Sequence, residues 1–294
     1  MVNQYIEQRI NLSQKTVLIT GCSSGIGWAT AKRLGSSGWR VFATARRSED
    51  ISRIVDQGWY AIELDLTCSD SIKHAAKTVL DLVNGELDVV VNNAGFGMPG
   101  AIEDLSRAAL QNQFEVNLFG TLELTNMLMP YLINRPRATV IYISSLVGRV
   151  SLPFMGAYSA SKFALEAVAD AQRIELSMTP VRVVLIEPGP IKTKFSSTCA
   201  NFGNLELNIH KSRFERLYKV YFEQRMTGGM SEDKFRLSPE DVADKIIFAI
   251  CSDNPKDRYR VTIPAHLAEF IARYFPVSLR DRVMKKQVNK RFSL

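Results

Sequence analysis

Thr16-Val17-Leu18-Ile19-Thr20-Gly21-Cys22-Ser23-Ser24-Gly25-Ile26-Gly27 is the stretch that decides the fold. Its first five residues are apolar or β-branched and read as a short buried strand. The chain then enters a Gly-rich turn, and Ala29 to Leu34 read as helix. Strand, Gly-rich turn and helix in that order form a cradle for phosphate. Glycine lets the backbone approach a ligand, and a helix N-terminus offers unpaired N–H groups with a partial positive charge. The spacing, T-G-x-x-x-G-x-G, differs from the common G-x-G-x-x-G dinucleotide fingerprint. A Gly-rich turn that holds nothing is the alternative.

Working outward, Trp39 to Thr44 (WRVFAT) is a second strand. Just beyond it stand Ala45-Arg46-Arg47, where a dinucleotide fold meets the adenosine ribose. An acid there would bond the 2′-hydroxyl, whereas arginine accommodates a 2′-phosphate. Arg46 and Arg47 therefore favour NADP(H) over NAD(H), unless they are solvated loop charges. Trp59 to Leu64 is a third strand, ending at Asp65-Leu66-Thr67, and Ser69 can cap the helix that follows. Asp88 to Val91 (DVVV) reads as a strand buried on both faces. It runs into Asn92-Asn93-Ala94-Gly95, small and amide residues suited to a ligand crevice, and then the apolar loop 96–100.

A helical region from about Ser106 to Ile133 carries Asn117, which invites a bend or a polar role. Ala138 to Ile143 is the fifth strand and ends at Ser144-Ser145. Val181 to Ile186 is the sixth, ending at Pro188-Gly189-Pro190-Ile191-Lys192-Thr193, and Arg258 to Ile263 is the seventh. Strands alternating with helices predict a doubly wound, seven-stranded parallel sheet with helices on both faces.

Tyr158-Ser159-Ala160-Ser161-Lys162 opens an Ala-rich run to Leu176 that reads as helix. Residues four apart share one helix face, so Tyr158 and Lys162 point into the same space. A free tyrosine has a pKa near 10. A fixed cation nearby favours the phenolate, and an acid or base works best near the working pH. The pair is one way to build a proton-trading tyrosine, although Tyr and Lys at this spacing also occur by chance.

Composition bounds the rest. The chain has 294 residues, 46% hydrophobic and 23% charged, as in ordinary soluble globular proteins. No run reaches the ~18 apolar residues of a membrane span, and MVNQYIEQRINLSQ has no signal core. Cys22, Cys68, Cys199 and Cys251 are scattered and the three histidines lack zinc spacing, which predicts reduced thiols, a cytoplasmic setting and no metal. A formal charge of +7 permits nucleic-acid binding, but no motif accompanies it and much of the excess lies at the C-terminus.

Six motifs now stand in order: Thr20-Gly21-x-x-x-Gly25-Ile26-Gly27, Asn92-Asn93-Ala94-Gly95, Asn117, Ser144-Ser145, Tyr158-x-x-x-Lys162 and Pro188-Gly189. Together they resemble the short-chain dehydrogenase/reductase family, strongly over about Lys15 to Thr193 and more loosely to about Pro264. The resemblance implies a single Rossmann-type domain over residues 1–294 and an oxidoreductase acting on CH–OH or C=O groups. It implies that Tyr158 exchanges a proton with the substrate oxygen and that Lys162 lowers its pKa and holds the nicotinamide ribose. Ser145, thirteen residues before Tyr158, would hydrogen-bond the substrate oxygen, and Asn117 would hold a relay water. Gly21, Ser23, Ile26 and Gly27, with Ser24 and Gly25 in the same turn, would surround the pyrophosphate. Asp65 and Leu66 would flank the adenine. Asn93, with Ala94 and Gly95 beside it, and Pro188, Gly189, Ile191 and Thr193 would place the ribose and nicotinamide.

By the same resemblance, Phe96, Met98, Leu146, Val150, Leu152, Phe154, Met155 and Phe195 line the substrate pocket, with Ser145 at its polar end. They predict an apolar steroid-, retinoid- or ketone-like substrate, unless they only fill the core. Residues of about 194–238, helical near Phe214 to Gln224, are expected to form a lid. The helices at 106–133 and 157–176 are expected to pair subunits into a homodimer or homotetramer. In the extension of about 265–294, Leu267, Phe270, Ile271, Tyr274 and Phe275 form an apolar helical face. Arg280, Arg282, Lys285, Lys286, Lys290 and Arg291 follow. Such an end can lie on an anionic membrane, or pack on the lid or a second subunit. A silent NADP-binding regulator and a membrane-surface interaction protein are the rival functions.

Overall fold

The computed structural model describes residues 14–226 and 235–292. The N-terminal stretch read for a signal lies outside the described residues. Seven parallel strands form one sheet: β1 (Thr16–Ile19), β2 (Arg40–Ala45), β3 (Tyr60–Glu63), β4 (Val89–Asn92), β5 (Ala138–Ile143), β6 (Val181–Glu187) and β7 (Arg258–Arg260). Their order is β3-β2-β1-β4-β5-β6-β7. The pairing is longest between β5 and β6, which run in register from Ala138 opposite Val181 to Ile143 opposite Ile186.

Alternate side chains of each strand face opposite ways, and each set finds its own helices. Leu18, Phe42, Val90, Val140 and Tyr142 pack with α3 (Ser69–Leu82), α5 (Gly120–Ile133) and α6 (Gly156–Glu175). Val17, Ile19, Val41, Val91, Ile141 and Ile186 pack with α1 (Gly25–Ser36), α2 (Ser48–Val55) and α9 (Pro239–Cys251). Each fully buried Leu, Ile or Phe in these layers contributes about 1.5–3 kcal/mol. The strand order reverses between β1 and β4, so the ligand crevice of such a sheet lies at their carboxyl ends.

Four expectations need correction. The helix expected over 106–133 is not continuous. It runs as α4 (Arg107–Phe114), a π turn at Glu115–Phe119, then α5. The extra residue of the π turn rotates Asn117 into the interior, where it is buried. The seventh strand stops at Arg260 rather than Ile263. Thr262 instead caps α10 (Ile263–Tyr274), its Oγ1 accepting from the Ala265 N–H, and Pro264 suits a first helical turn. Phe275 accordingly lies beyond that helix. Ser69 is already inside α3, and its hydroxyl donates to Glu123 at 2.9 Å. After β6 the chain forms α7 (Phe195–Glu206) and α8 (Glu215–Met226), and α11 (Val277–Phe292) follows α10.

Candidate active site

β1 and β4 supply the nucleotide end. The Thr20 Oγ1 accepts from the Asn93 N–H at 3.0 Å and the Ala94 N–H at 2.9 Å. Asn93 Nδ2 donates back to the carbonyls of Thr20 (2.8 Å) and Gly21 (3.0 Å). These bonds stitch the two loops across the switch point. Gly21 holds φ at +72°, and a Cβ there would lie 2.8 Å from the Ala94 Cα, so only glycine closes this turn. The start of α1 carries no side-chain cap and no acid in its first turn. Its free N–H groups suit an anion. The turn of Gly21, Ser23, Ser24, Gly25, Ile26 and Gly27 therefore fits a dinucleotide pyrophosphate. Thr193, following β6, packs against Gly25.

Just beyond β2 the two arginines part company. Arg46 is exposed. Arg47 is held by the buried carboxylate of Asp50, at 2.9 and 3.0 Å. Arg53 shares that carboxylate at 3.2 Å, donates to the Ser23 carbonyl at 3.3 Å, and stands over the Trp28 ring. Asp65 accepts from the Thr67 N–H and hydroxyl at 2.9 and 2.8 Å, which fixes the loop after β3. Leu66 beside it is buried.

The polar reaction end is built on β5 and α6. Ser145 ends the loop after β5, and its Oγ accepts from the Val147 N–H at 3.3 Å. It also faces the Tyr158 hydroxyl, and its influence lowers the Tyr158 pKa. Tyr158 sits in the first turn of α6, buried, with the Phe195 ring 5.4 Å from its own. One turn on, Lys162 donates to the Ile143 carbonyl at 2.8 Å, and its ammonium lies 6.0 Å from the Tyr158 ring. Burial lowers the Lys162 pKa to about 8, partly offset by the charge of Glu166. Burial pushes the Tyr158 phenol well above its usual range, and Ser145 only partly restores it. Burial is the largest influence on the Tyr158 phenol.

Asn117 joins these parts from the π turn. Its Nδ2 donates to the Phe96 carbonyl (2.9 Å) and the Ser161 Oγ (3.0 Å), and its Oδ1 accepts from the Phe96 N–H (3.1 Å). Both amide protons are therefore engaged by protein. The Pro188 carbonyl accepts from the Leu146 N–H at 2.9 Å, and Gly189 backs onto the Thr262 side chain. Ile191 pairs with Leu237.

Around Tyr158 packs an apolar, ring-rich cluster. Phe96, Met98, Met155, Cys199, Tyr218 and Phe222 are buried in it, with Leu146, Leu152, Phe154, Phe195 and Phe202 partly so. Val150 is buried beside the same loop. Met98 is fully covered, and its N–H donates to Gln113 at 2.6 Å. Phe96 meets Phe202 with ring centres 4.4 Å apart. Phe154 holds φ at +61°, which directs its ring edge-on against Phe214, at 5.3 Å.

Residues 15–201 match the short chain dehydrogenase family. The chain belongs to that family. An uncharacterized oxidoreductase of Escherichia coli, YbbO, is 37% identical over 92% of this chain and 94% of its own. The NADPH-dependent 3-dehydrocapnine reductase of Ornithobacterium rhinotracheale is 34% identical over 93% and 97%. A short-chain dehydrogenase structure from Streptomyces avermitilis superposes with a TM-score of 0.77 at 28% identity, covering 97% of this chain and all of that one.

In this short-chain dehydrogenase the loops bring Ser145, Tyr158, Lys162 and Asn117 to one place, and the Gly-rich turn lies at the adjoining end of the crevice. Sequence reading missed Thr20 as the clasp between the loops and Arg53 beside Ser23. It missed Gln113, whose Nε2 donates to the Phe96 carbonyl at 2.8 Å. It also missed Cys199, Phe202, Tyr218 and Phe222. A buried Gln in an amphipathic helix was a readable signal for Gln113. The other contacts join segments far apart in sequence and have no local signature.

Proposed function

We propose that this short-chain dehydrogenase is an NADP(H)-dependent oxidoreductase that interconverts a carbonyl and a secondary alcohol on an apolar substrate. The observation that carries this reading is the placing of Ser145 beside Tyr158, one helical turn from Lys162 and against an aromatic cluster. When bound, the nicotinamide supplies or accepts the hydride. In the reducing direction Tyr158 hands its proton to the carbonyl oxygen, and Ser145 donates a hydrogen bond where negative charge develops. A buried, neutral tyrosine is the protonation state that this direction needs. Lys162, charged below its pKa of about 8, favours the phenolate left behind and meets the nicotinamide ribose. Asn117 holds the Phe96 loop and Ser161 in place around it.

Arg46 supports the phosphorylated nucleotide, since no acid stands at Ala45 to repel it and Arg46 is exposed at the end of β2. The name of the NADPH-dependent relative agrees. The cluster has many rings and few polar groups, which favours a steroid-, retinoid- or ketone-like body over a sugar. The segment between β6 and α9 acts as its lid, with Phe195 and Phe202 meeting Tyr158 and Phe96.

The test is NADPH oxidation, followed spectrophotometrically, over ketosteroids, retinal, and aliphatic and aromatic ketones and aldehydes, with NADH in parallel. Saturable turnover of an apolar carbonyl with NADPH is expected. Tight NADPH binding without turnover of any carbonyl would point to the silent regulator instead.

A further inference from the structure

We propose that α10 and α11 form a face that docks on an anionic lipid bilayer. α10 is pinned to the body on one side. Ala265 and Ala268 are buried, and Glu269 pairs with Arg149 at 2.7 Å and Arg260 at 3.4 Å. The opposite side is thereby fixed outward. Ile263, Leu267, Phe270 and Tyr274, spaced 4, 3 and 4 along the helix, make one stripe. They are 68, 55, 52 and 64% exposed, and Val277 just beyond is 62% exposed. Phe270 gathers the rings of Tyr274 (5.2 Å) and Phe275 (5.9 Å) into a single aromatic patch.

The sequence of α11 then supplies charge of one sign. Between Val277 and Phe292 it has six basic residues and one acid, Asp281. Arg282, Lys285 and Lys286 are exposed. The neighbouring chemistry selects among occupants. Among the described residues, α7 and α8 leave the stripe bare. A second copy on this face would bring two basic helices together, and like charges repel. An anionic bilayer satisfies both parts. The aromatic and aliphatic residues enter the headgroup boundary, and the lysines and arginines meet lipid phosphates. Among the described residues no helix is long and apolar enough to cross a membrane, so the contact lies along the surface.

The face is tied to the loop that carries Ser145. Arg149, which anchors α10, follows the Leu146–Gly148 turn beside Ser145. A carbonyl dissolved in the bilayer would thus start next to the site. That access rests on the apolar substrate proposed above, whereas the docking does not.

Co-sedimentation of the full chain with phosphatidylglycerol/phosphatidylcholine vesicles, and with phosphatidylcholine alone, tests the face. Binding is expected only to the anionic vesicles and should fall with salt. The pairs Leu267→Gln with Phe270→Gln, and Arg282→Glu with Lys285→Glu, should each weaken it by at least about tenfold. NADPH binding, followed by fluorescence titration, should be unchanged and reports folding. A full chain that stays in the supernatant, or variants that bind vesicles as the parent does, would overturn the proposal. So would variants that lose self-association in light scattering while the parent ignores vesicles, because the face would then be a contact between copies.

Discussion

Glu166 lies one helical turn beyond Lys162 on α6, buried, and its charge raises the pKa of the Lys162 ammonium against the pull of burial. Facing Glu166 are Arg258 of β7 at 3.2 Å, the Arg149 charge and the Ser144 hydroxyl. Arg258 also pairs with Glu187 of β6 at 3.2 Å. If the charged lysine is needed, activity falls as pH rises through about 8. Glu166→Gln removes an influence that raises this pKa, so the basic limb should move to lower pH. The measurement is kcat/KM from pH 6 to 10 for both proteins; a basic limb at the same place in a folded variant would remove Glu166 from this role.

Tyr158→Phe keeps the ring and deletes the exchangeable proton. Turnover should fall by about 10²–10⁴, with NADPH affinity kept within a few-fold. Near-parent turnover would dismiss Tyr158 as the proton donor.

Arg46 and Arg47 should differ in their effect on cofactor choice, because Asp50 already engages Arg47. Arg46→Leu should cost NADPH about 10–150-fold in affinity, from a charge-assisted bond of roughly 1.5–3 kcal/mol, and leave NADH almost unchanged. Arg47→Leu should cost less. Dissociation constants by fluorescence titration decide it, and a larger effect from Arg47 would contradict the geometry.

Gly120 starts α5 against the backbone of the loop after β3, and a Cβ there would run into the Leu66 carbonyl and its Cβ. Backbone cannot yield as a flexible side chain can. Gly120→Ala should destabilise by at least ~1–3 kcal/mol and push Leu66 out of place, lowering both Tm and cofactor affinity. Thermal unfolding at parent temperature would show that α5 can slide.

The end of the π turn exposes Phe119 along a groove with Leu122, Asn126 and Met127 of α5, and α6 exposes Phe163 and Ile174. A homodimer or homotetramer buried through these helices is expected in light scattering at micromolar concentration. Phe119→Asp with Phe163→Asp should shift the mass to that of one chain; a parent that is already monomeric would refute the pairing.

The central strands β1, β4 and β5 were legible because each is an apolar, β-branched run, as a strand buried on both faces must be. β7 was overextended because Val261-Thr262-Ile263 continues the same alternation, and only the Thr262 cap with Pro264 marks the change to helix. The Ser145, Tyr158 and Lys162 cluster was legible through spacing within α6 and from the end of β5. The π turn was not, since one inserted residue leaves helical composition unchanged. Nor was the protonation state of Tyr158. Spacing shows that Lys162 is near, whereas the burial that raises the Tyr158 pKa depends on contacts such as the Phe195 ring from α7.

Lys192 donates to the Leu237 carbonyl at 2.9 Å and Leu237 to the Pro190 carbonyl at 3.2 Å, so the segment between them leaves and re-enters the body at one point. A loop whose ends are already joined can change length at small entropic cost, about 0.6 kcal/mol per doubling. Substrate preference is thereby separable from the hydride chemistry. The region after Thr193 and before Leu237 is a natural cassette for recombination, and grafting a relative's version between those two residues should exchange selectivity while leaving nucleotide binding intact.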